Sequence, residues 1–535
     1  MNQCNVDFFG LPHEILLHIL KKLDNISVLY SLFGVINKRC DSLLQDNIFT
    51  NTLNLLTNSA NDNSAPVVDR ILDRFCIDIL PRIHYSVKHL ILESMSMGRI
   101  LLTGTFPNLT HLNVFNFGQH IALNYFTDQS IFRHIFKHQI TELILENCDQ
   151  DIETILLGEY TENVYAPILA FFENLTHLSI VESSSITEYP PLSICDLPST
   201  TFFSSTLKKL CINVESINDC FHLLDGRLQQ LTTLIVQIGF IDNDSPIVHN
   251  TNDLPNLKCF SLICYEQTDA YDSQVIPILR RMTYLEKLTL YIRIHNRFTF
   301  VDGTNIHKNI LIYMPRLHTF SFYIDTEILF NDSVHHLFDN DIQQTFTNIG
   351  YNQIACSVNC CLNYRAICHV FSLPFIFNRL EKINNRFPNV MFNDVTYLMV
   401  ADAIPFKYEF FIRIAKAFPS LKYFSIINLT SPSGDFNSNA ADNIDSRSYI
   451  EYLNLASLDV NYVDDYYIEQ FLLDTKTHAP RLTEIKVHFD RLQTVTENFT
   501  RDTTRYNCRN IKRLIFEKIM NYPKELYLYF PSLVD

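Results

Sequence analysis

Groupings of histidine, cysteine and carboxylate are where this 535-residue chain would show catalytic or metal chemistry. Near the N-terminus, His13-Glu14-Ile15-Leu16-Leu17-His18 sets two histidines around a glutamate. A zinc hydrolase built on such a helix needs its histidines four apart on one face. These are five apart and point to different sides. The densest group of soft ligands is Cys356, Cys360, Cys361, Cys368 and His369. Structural zinc modules rest on Cys-x-x-Cys pairs, which this group lacks, so buried strand thiols are the simpler reading. With eleven glycines, the chain has neither G-x-G-x-x-G nor a phosphate-cradling loop closing on Gly-Lys-Ser/Thr. No G-x-S-x-G nucleophile elbow occurs either. The expectation is a non-catalytic protein, with no catalytic residue, no metal and no cofactor.

Bulk properties narrow the partners. A formal charge of −16 argues against nucleic acid, whose phosphates demand clustered Lys and Arg, and against an anionic membrane surface. An apolar fraction of 47% is that of a folded protein. Fourteen cysteines are too few for a disulfide scaffold of this length. Several (Cys211, Cys259, Cys264) sit in apolar strand-like contexts, where a reduced thiol acts as a small hydrophobe. Residues 1–10 lack the basic-then-apolar pattern of a signal peptide. No uncharged apolar run reaches the roughly 18 residues of a membrane span. The expected location is cytoplasmic, nuclear or both. Asn-x-Ser/Thr sequons such as Asn108, Asn174 and Asn428 then read as products of an Asn- and Thr-rich composition.

What positions any functional residue is a returning apolar phrase, L-x-x-L-x-L. It occurs at Leu109, Leu112, Val114; at Leu175, Leu178, Ile180; at Leu207, Leu210, Ile212; and at Leu285, Leu288, Leu290. Substituted copies include Leu257, Phe260, Leu262 and Leu482, Ile485, Val487. About fourteen copies, mostly about 22 to 35 residues apart, are the signature of a solenoid. Helix-like stretches lie between them, as at 271–282, 405–418 and 466–478, and several end in an apolar-Pro step such as Phe106-Pro107 or Phe418-Pro419. Proline stops the helix and pushes its predecessor towards extended backbone, so each strand starts at a set point. Strand and helix alternating at this period predict an α/β solenoid, a horseshoe with a parallel sheet inside and helices outside. No clean copy falls between Phe322 and Val395, where 354–358 and 369–373 are the plausible strands. Residues 430–448 are a polar low-complexity insert.

Strand positions between the leucines should line the concave face, because side chains alternate along a strand. Candidates for gripping a client are Phe115, Tyr291, Tyr323, Asp459, Lys486 and His488. Aromatics among charges of both signs suit protein recognition.

Residues 1–50 read differently. Leu11, Ile15, Ile19 and Leu23 recur every fourth position with Leu16 and Leu20 beside them, which builds a helix with a broad apolar face. Pro12 suits its first turn. Short helical runs follow at 26–32 and 36–44. Their apolar residues exceed what so small a bundle can bury, so some should face a partner.

The segment LPHEILLHILKKLDN…INKRCDSLLQD resembles an F-box, the three-helix module that docks on the Skp adaptor of cullin-RING ubiquitin ligases. The matching residues are Leu11-Pro12, Glu14-Ile15, Ile19, Leu20, Leu23-Asp24, Ile36 to Arg39 and Leu43-Leu44. The repeats are similar to those of leucine-rich-repeat proteins, and the combination to the F-box leucine-rich-repeat family. The resemblance implies an adaptor-docking module at 1–50, contacting a Skp-type adaptor through Leu11, Pro12, Ile15, Ile19, Leu20, Leu23, Ile36 and Leu43. It further implies an irregular leucine-rich-repeat solenoid at 51–535 that carries a client protein for ubiquitination. A non-catalytic repeat scaffold is the alternative.

Overall fold

The computed structural model describes residues 11–34, 38–57, 65–66, 69–147, 157–182, 191–243, 254–329, 339–350, 353–361, 365–402, 404–430, 450–517 and 523–533. Ile36 and, apart from Thr430, the insert at 430–448 lie outside these residues. The fold is mixed α/β with a large parallel sheet. By compactness the chain divides into two units, Met1–Thr289 with Tyr313–Thr319, and Leu290–Ile312 with Phe320–Asp535.

The first unit opens with helices His13–Leu20, Asn25–Leu32, Lys38–Leu44 and Asn47–Thr50. Asp24 starts the second by accepting the Ser27 N–H at 2.9 Å, and Asp46 starts the fourth by accepting that of Ile48 at 2.9 Å. Such caps satisfy amides that have no partner inside the helix. Parallel strands follow in chain order: Thr52–Asn54, His89–Glu93, His111–Phe117, Glu142–Asn147, His177–Glu182, Lys209–Ser216, Thr233–Phe240 and Cys259–Thr268. Helices such as Ser94–Leu101, Ala166–Phe171 and Ile217–Leu223 connect them.

The phrase leucines are the core. Leu109, Leu112, Val114, Leu175, Leu178, Leu207, Leu210, Leu257 and Leu262 are all buried. They align across the sheet, with Leu112 opposite Leu143, Leu143 opposite Leu178, and Leu178 opposite Leu210. Each phrase therefore buries its leucines on those of its neighbours, at about 1.5–3 kcal/mol per side chain.

Side chains also stitch neighbouring strand starts together. Asn108 Nδ2 donates to Tyr85 O at 2.7 Å, Asn174 Nδ2 to His138 O at 2.8 Å, and Asn256 Nδ2 to Gln229 O at 2.9 Å. Thr141 and Thr176 hydroxyls reach back to Thr110 O and Thr141 O. At Phe106, before Pro107, the backbone departs from the expected extended form, with φ at 43°. That conformation is strained for a non-glycine residue. It accompanies a fully buried ring 5.8 Å from that of His84.

In the second unit a six-stranded parallel sheet comprises Arg379–Ile383, Tyr397–Ala401, Tyr423–Asn428, Ser457–Val463, Glu484–Val487 and Arg513–Ile515. Helix Tyr408–Ala417 falls inside the expected stretch 405–418, and Asp465–Leu472 starts one residue before the one expected at 466–478. Asn454 and Asn510 repeat the stitch, to Pro419 O at 3.0 Å and Pro480 O at 3.4 Å. The stretch lacking clean phrases differs from the parallel expectation. Ile354–Cys361 and Arg365–Ser372 form an antiparallel pair, and the latter runs antiparallel to Thr319–Leu329. A short connection between these strands leaves no room for a crossover helix, so the pair must be antiparallel.

Candidate functional site: a helix face, a strand face and a cavity at strand ends

The first helix separates its apolar residues into two sets. Leu16 and Leu20 are buried, while Ile15, Ile19 and Leu23 remain 48%, 37% and 55% exposed. Four-residue spacing places Ile15 and Ile19 side by side, since residues four apart neighbour one another on a helix, and Leu23 follows in the turn after the helix ends at Leu20. Pro12 is exposed and Leu11 half-buried. Two expected contact residues must be reassigned. Leu20 and Leu43 are 5% and 2% exposed and belong to the core of the helical segment, so no adaptor can reach them without unfolding it. Ile36 lies outside the described residues.

Cations fix this segment in place. Arg39 Nη2 donates to Leu11 O at 2.8 Å. Arg82 pairs with Asp41 at 2.8 Å and lies 4.5 Å above the Phe33 ring. Arg74 sits 4.9 Å above the Tyr30 ring and donates to Phe33 O at 3.0 Å. Asp41 also accepts the Gly34 N–H at 2.7 Å. Although desolvation opposes it, these partners hold the Asp41 carboxyl below its usual range. Gly34 turns the chain with φ at 74°, a conformation that favours glycine.

The strand face opposite the leucines is polar and in register. His89, His111, Glu142, His177 and Lys209 occupy one column across successive strands. The His111 Nε2 lies 3.5 Å from Glu142 Oε2, and the His89 and His111 rings are 5.6 Å apart. Burial pushes the His89 imidazole below its ordinary value. Phe115 stands half-exposed on the same face, as expected. Farther along that face, burial alone pushes the Glu146 carboxyl up to about 7.

Tyr291 and Tyr323 are corrected. Both are fully buried, with rings stacked 4.5 Å apart. Phe377 meets the Tyr291 ring edge-on at 5.3 Å, and Phe375 meets that of Tyr323 at 5.9 Å. These phenylalanines form a second layer over the face that alternation alone would leave open. Neither tyrosine can touch a client.

Asp459, Lys486 and His488 fare differently. Asp459 and Lys486 face each other on adjacent strands and pair at 3.3 Å. His488, exposed, borders a cavity of about 480 Å³ at the strand ends, together with Asn461, Tyr462, Asp490, Arg491 and Glu517. A β-bulge shapes it. From Ser425 to Ile427 the partner strand advances two residues, while Ser457–Val463 advances three, from Asp459 to Tyr462. The extra residue turns Asn461 inward and Tyr462 outward, the local re-aiming that bulges bring about. Asn461, expected on the open face, is consequently buried. Glu517 Oε1 accepts the Asn461 Nδ2 at 2.5 Å and the Tyr462 hydroxyl at 2.7 Å. These bonds hold its carboxyl below the ordinary range. Sequence reasoning missed Tyr462 and Glu517, because strict alternation places Tyr462 on the core side.

The soft-ligand group has a structural explanation in part. Cys356 and Cys368 are buried free thiols that burial pushes up, and Cys356 donates to Asp339 O at 2.9 Å. Among the described residues, no three His, Cys, Asp or Glu side chains are placed to hold a metal ion. Among them, too, no helix is long and apolar enough to cross a membrane. No protein-family model matches this chain, and no curated protein matches it either.

Proposed function

We propose that this chain recruits a client protein to a Skp–cullin–F-box ubiquitin ligase, working in the cytoplasm or nucleus. In this reading the repeats form a leucine-rich-repeat solenoid, a horseshoe. The helices between Leu11 and Leu44 dock on a Skp-type adaptor, and through it on a cullin-RING assembly. The observation that carries the reading is the exposure of Ile15 and Ile19 on the first helix and of Leu23 just past its end, while Leu16 and Leu20 are buried and Leu17 is half-buried. Covering each side chain would contribute up to about 1.5–3 kcal/mol. The polar, in-register strand face supplies a surface for the client. The mechanism is proximity: holding client and ubiquitin-charged enzyme together raises effective concentration without a catalytic side chain on this chain.

A purified Skp adaptor should be retained by the full chain. It should be lost on deletion of residues 1–50 and with the double variant Ile15→Asp, Ile19→Asp. Retention by those variants, or no capture by the full chain, defeats the reading.

A second reading is a repeat scaffold whose helices simply cap the array. The contacts of Arg74 and Arg82 with Tyr30, Phe33 and Asp41 favour it, since a cap must be fastened to what it covers. It predicts that deletion of residues 1–50 lowers the melting temperature sharply and that no adaptor is captured.

A further inference from the structure

The edge of the first unit where its strands begin is basic, although the chain as a whole has a formal charge of −16. We propose that the stretch of this edge from Lys208 to Arg316 docks an acidic segment of the client, laid in extended form across the strand starts. The proposal rests on the client-receptor reading and adds the chemistry that the receptor selects.

Backbone bonds tie these strand starts into one ladder. The Thr232 N–H donates to Lys208 O at 2.8 Å, that of Lys258 to Thr232 O at 2.9 Å, that of Glu286 to Lys258 O at 2.8 Å, and that of His318 to Glu286 O at 3.1 Å. Lys208, Lys209, Lys258, Lys287 and Arg316 all stand exposed along it. Glu286 is the acid in the row, and Lys258 engages it at 3.2 Å. Lys208, Lys209, Lys287 and Arg316 have no ion-pair partner among the described residues. Their fields overlap. The Cys259 thiol, which burial pushes up, is pulled back down by Lys287 and Lys209 together. The other ends of two of these strands carry Glu215 and Glu266 instead, so charge is sorted between the two edges.

Independently of charge, the asparagine stitching changes here. The residue before the first phrase leucine is Asn108, Asn174 or Asn256 in other repeats and donates to a neighbouring carbonyl. Before Leu285 and Leu317 it is Tyr284 and Arg316, both exposed and neither hydrogen-bonded among the described residues. The Arg316 guanidinium instead lies 4.8 Å above the Tyr284 ring, and that of Arg280 lies 4.7 Å above the Tyr313 ring. Stacking holds the Arg316 guanidinium by its face and leaves its N–H edge for a carboxylate, which a guanidinium meets bidentately. Tyrosine and arginine are also the residues on which interfaces concentrate their binding energy. Two adjacent departures from a structural rule, both to these types, mark a surface selected for contact rather than for stitching.

Spacing and sign select the occupant. Neighbouring strands lie about 4.8 Å apart, so the four steps from Lys208 to His318 cover about 19 Å, the reach of about six extended residues. Glu286 interrupts the row. Separate carboxylates can straddle it, whereas the unbroken charge of a nucleic-acid backbone would press against it. Attraction is confined to this edge, because the net charge of the chain repels acidic ligands elsewhere.

The test uses the purified full chain and a fluorescein-labelled peptide, Gly-Ser-Glu-Ser-Glu-Ser-Glu-Ser-Gly, with analogues carrying Gln or Lys in place of Glu, and a labelled oligothymidylate of similar length. Fluorescence anisotropy at low salt should show the Glu peptide binding at least about tenfold more tightly than the other three ligands, a factor equivalent to 1.4 kcal/mol. Arg316→Gln, and the double variant Lys209→Gln, Lys287→Gln, should each weaken the Glu peptide severalfold while leaving the melting temperature unchanged. Lys416→Gln removes the same charge from the second unit and should leave binding unaltered. No binding of the Glu peptide, equal binding of the Gln analogue, tighter binding of the Lys analogue or the oligonucleotide, or indifference to both edge variants would overturn the proposal. Adaptor capture on the same preparation keeps the two ideas apart. Capture without peptide binding removes the acidic-segment site alone, and peptide binding without capture removes the ligase role alone.

Discussion

Arg293 Nε donates to Asp325 Oδ2 across 2.9 Å, and both side chains are sealed from water. Arg293 Nη1 also reaches Glu381 Oε2 at 2.5 Å, so one buried guanidinium bridges two carboxylates. Glu327 on the same strand as Asp325 is held by Arg365 at 2.5 Å and Lys382 at 3.0 Å. Such pairs stabilise little compared with an apolar core of equal volume, but removing one partner strands the other without water. Arg293→Met and Asp325→Ala should each cost about 3–5 kcal/mol, read as a large fall in the denaturation midpoint. An unchanged midpoint would show that water reaches the cluster.

Acid should loosen the same region. His369 is fully buried, its Nδ1 2.9 Å from the Tyr323 hydroxyl. Burial pushes its imidazole below the ordinary 6.5 although Asp325 pulls the other way. The unfolded chain therefore takes up the proton first as pH falls. Stability from this group is complete above about 6.5 and is lost as pH drops from there through the folded-state value. The melting temperature should decline between about pH 7 and 5, and His369→Gln should flatten that decline. Equal slopes for both proteins would refute it.

Glu146 predicts the opposite slope. Its carboxyl is raised from 4.5 to about 7 by burial, so ionising it in the folded state is unfavourable. Its contribution is complete below 4.5 and lost as pH rises through 7. Glu146→Gln should therefore raise the melting temperature more at pH 8 than at pH 5, as measured by calorimetry. A gain independent of pH would assign the effect to something other than charge.

The first helix offers a paired contrast. Leu16→Ala opens a hole in the core and should cost about 2–5 kcal/mol. Ile15→Asp alters an exposed position and should stay within about 0.5 kcal/mol of the parent. Thermal melts of the two variants side by side decide whether the exposed row is free of structural duty.

The leucine phrases were readable because burial on one strand face leaves a period-two mark, and every copy named is buried. The helix period likewise marked an apolar stripe at 11–23, but not which members the neighbouring helices would cover. Leu20 and Leu43 went inside; Ile15, Ile19 and Leu23 did not. Tyr291 and Tyr323 were misplaced because alternation says which face a residue occupies, not whether Phe375 and Phe377 will roof that face. Tyr462 was missed for a subtler reason. One extra residue between Asp459 and Tyr462 reverses the alternation, and nothing in SLDVNYV announces it.

The asparagine stitches bear on what the surface could carry. Asn108, Asn174 and Asn428 stand in glycan acceptor sequences, and a sugar would be joined through the very amide nitrogen that donates to Tyr85, His138 and Ile404. At Asn428, itself 3% exposed and accepting the Thr430 N–H at 2.9 Å, an oligosaccharide would have to displace the adjoining turn. Carbohydrate at Asn428 and the present fold exclude each other, whereas exposed Asn108 and Asn174 would each keep one N–H for the stitch.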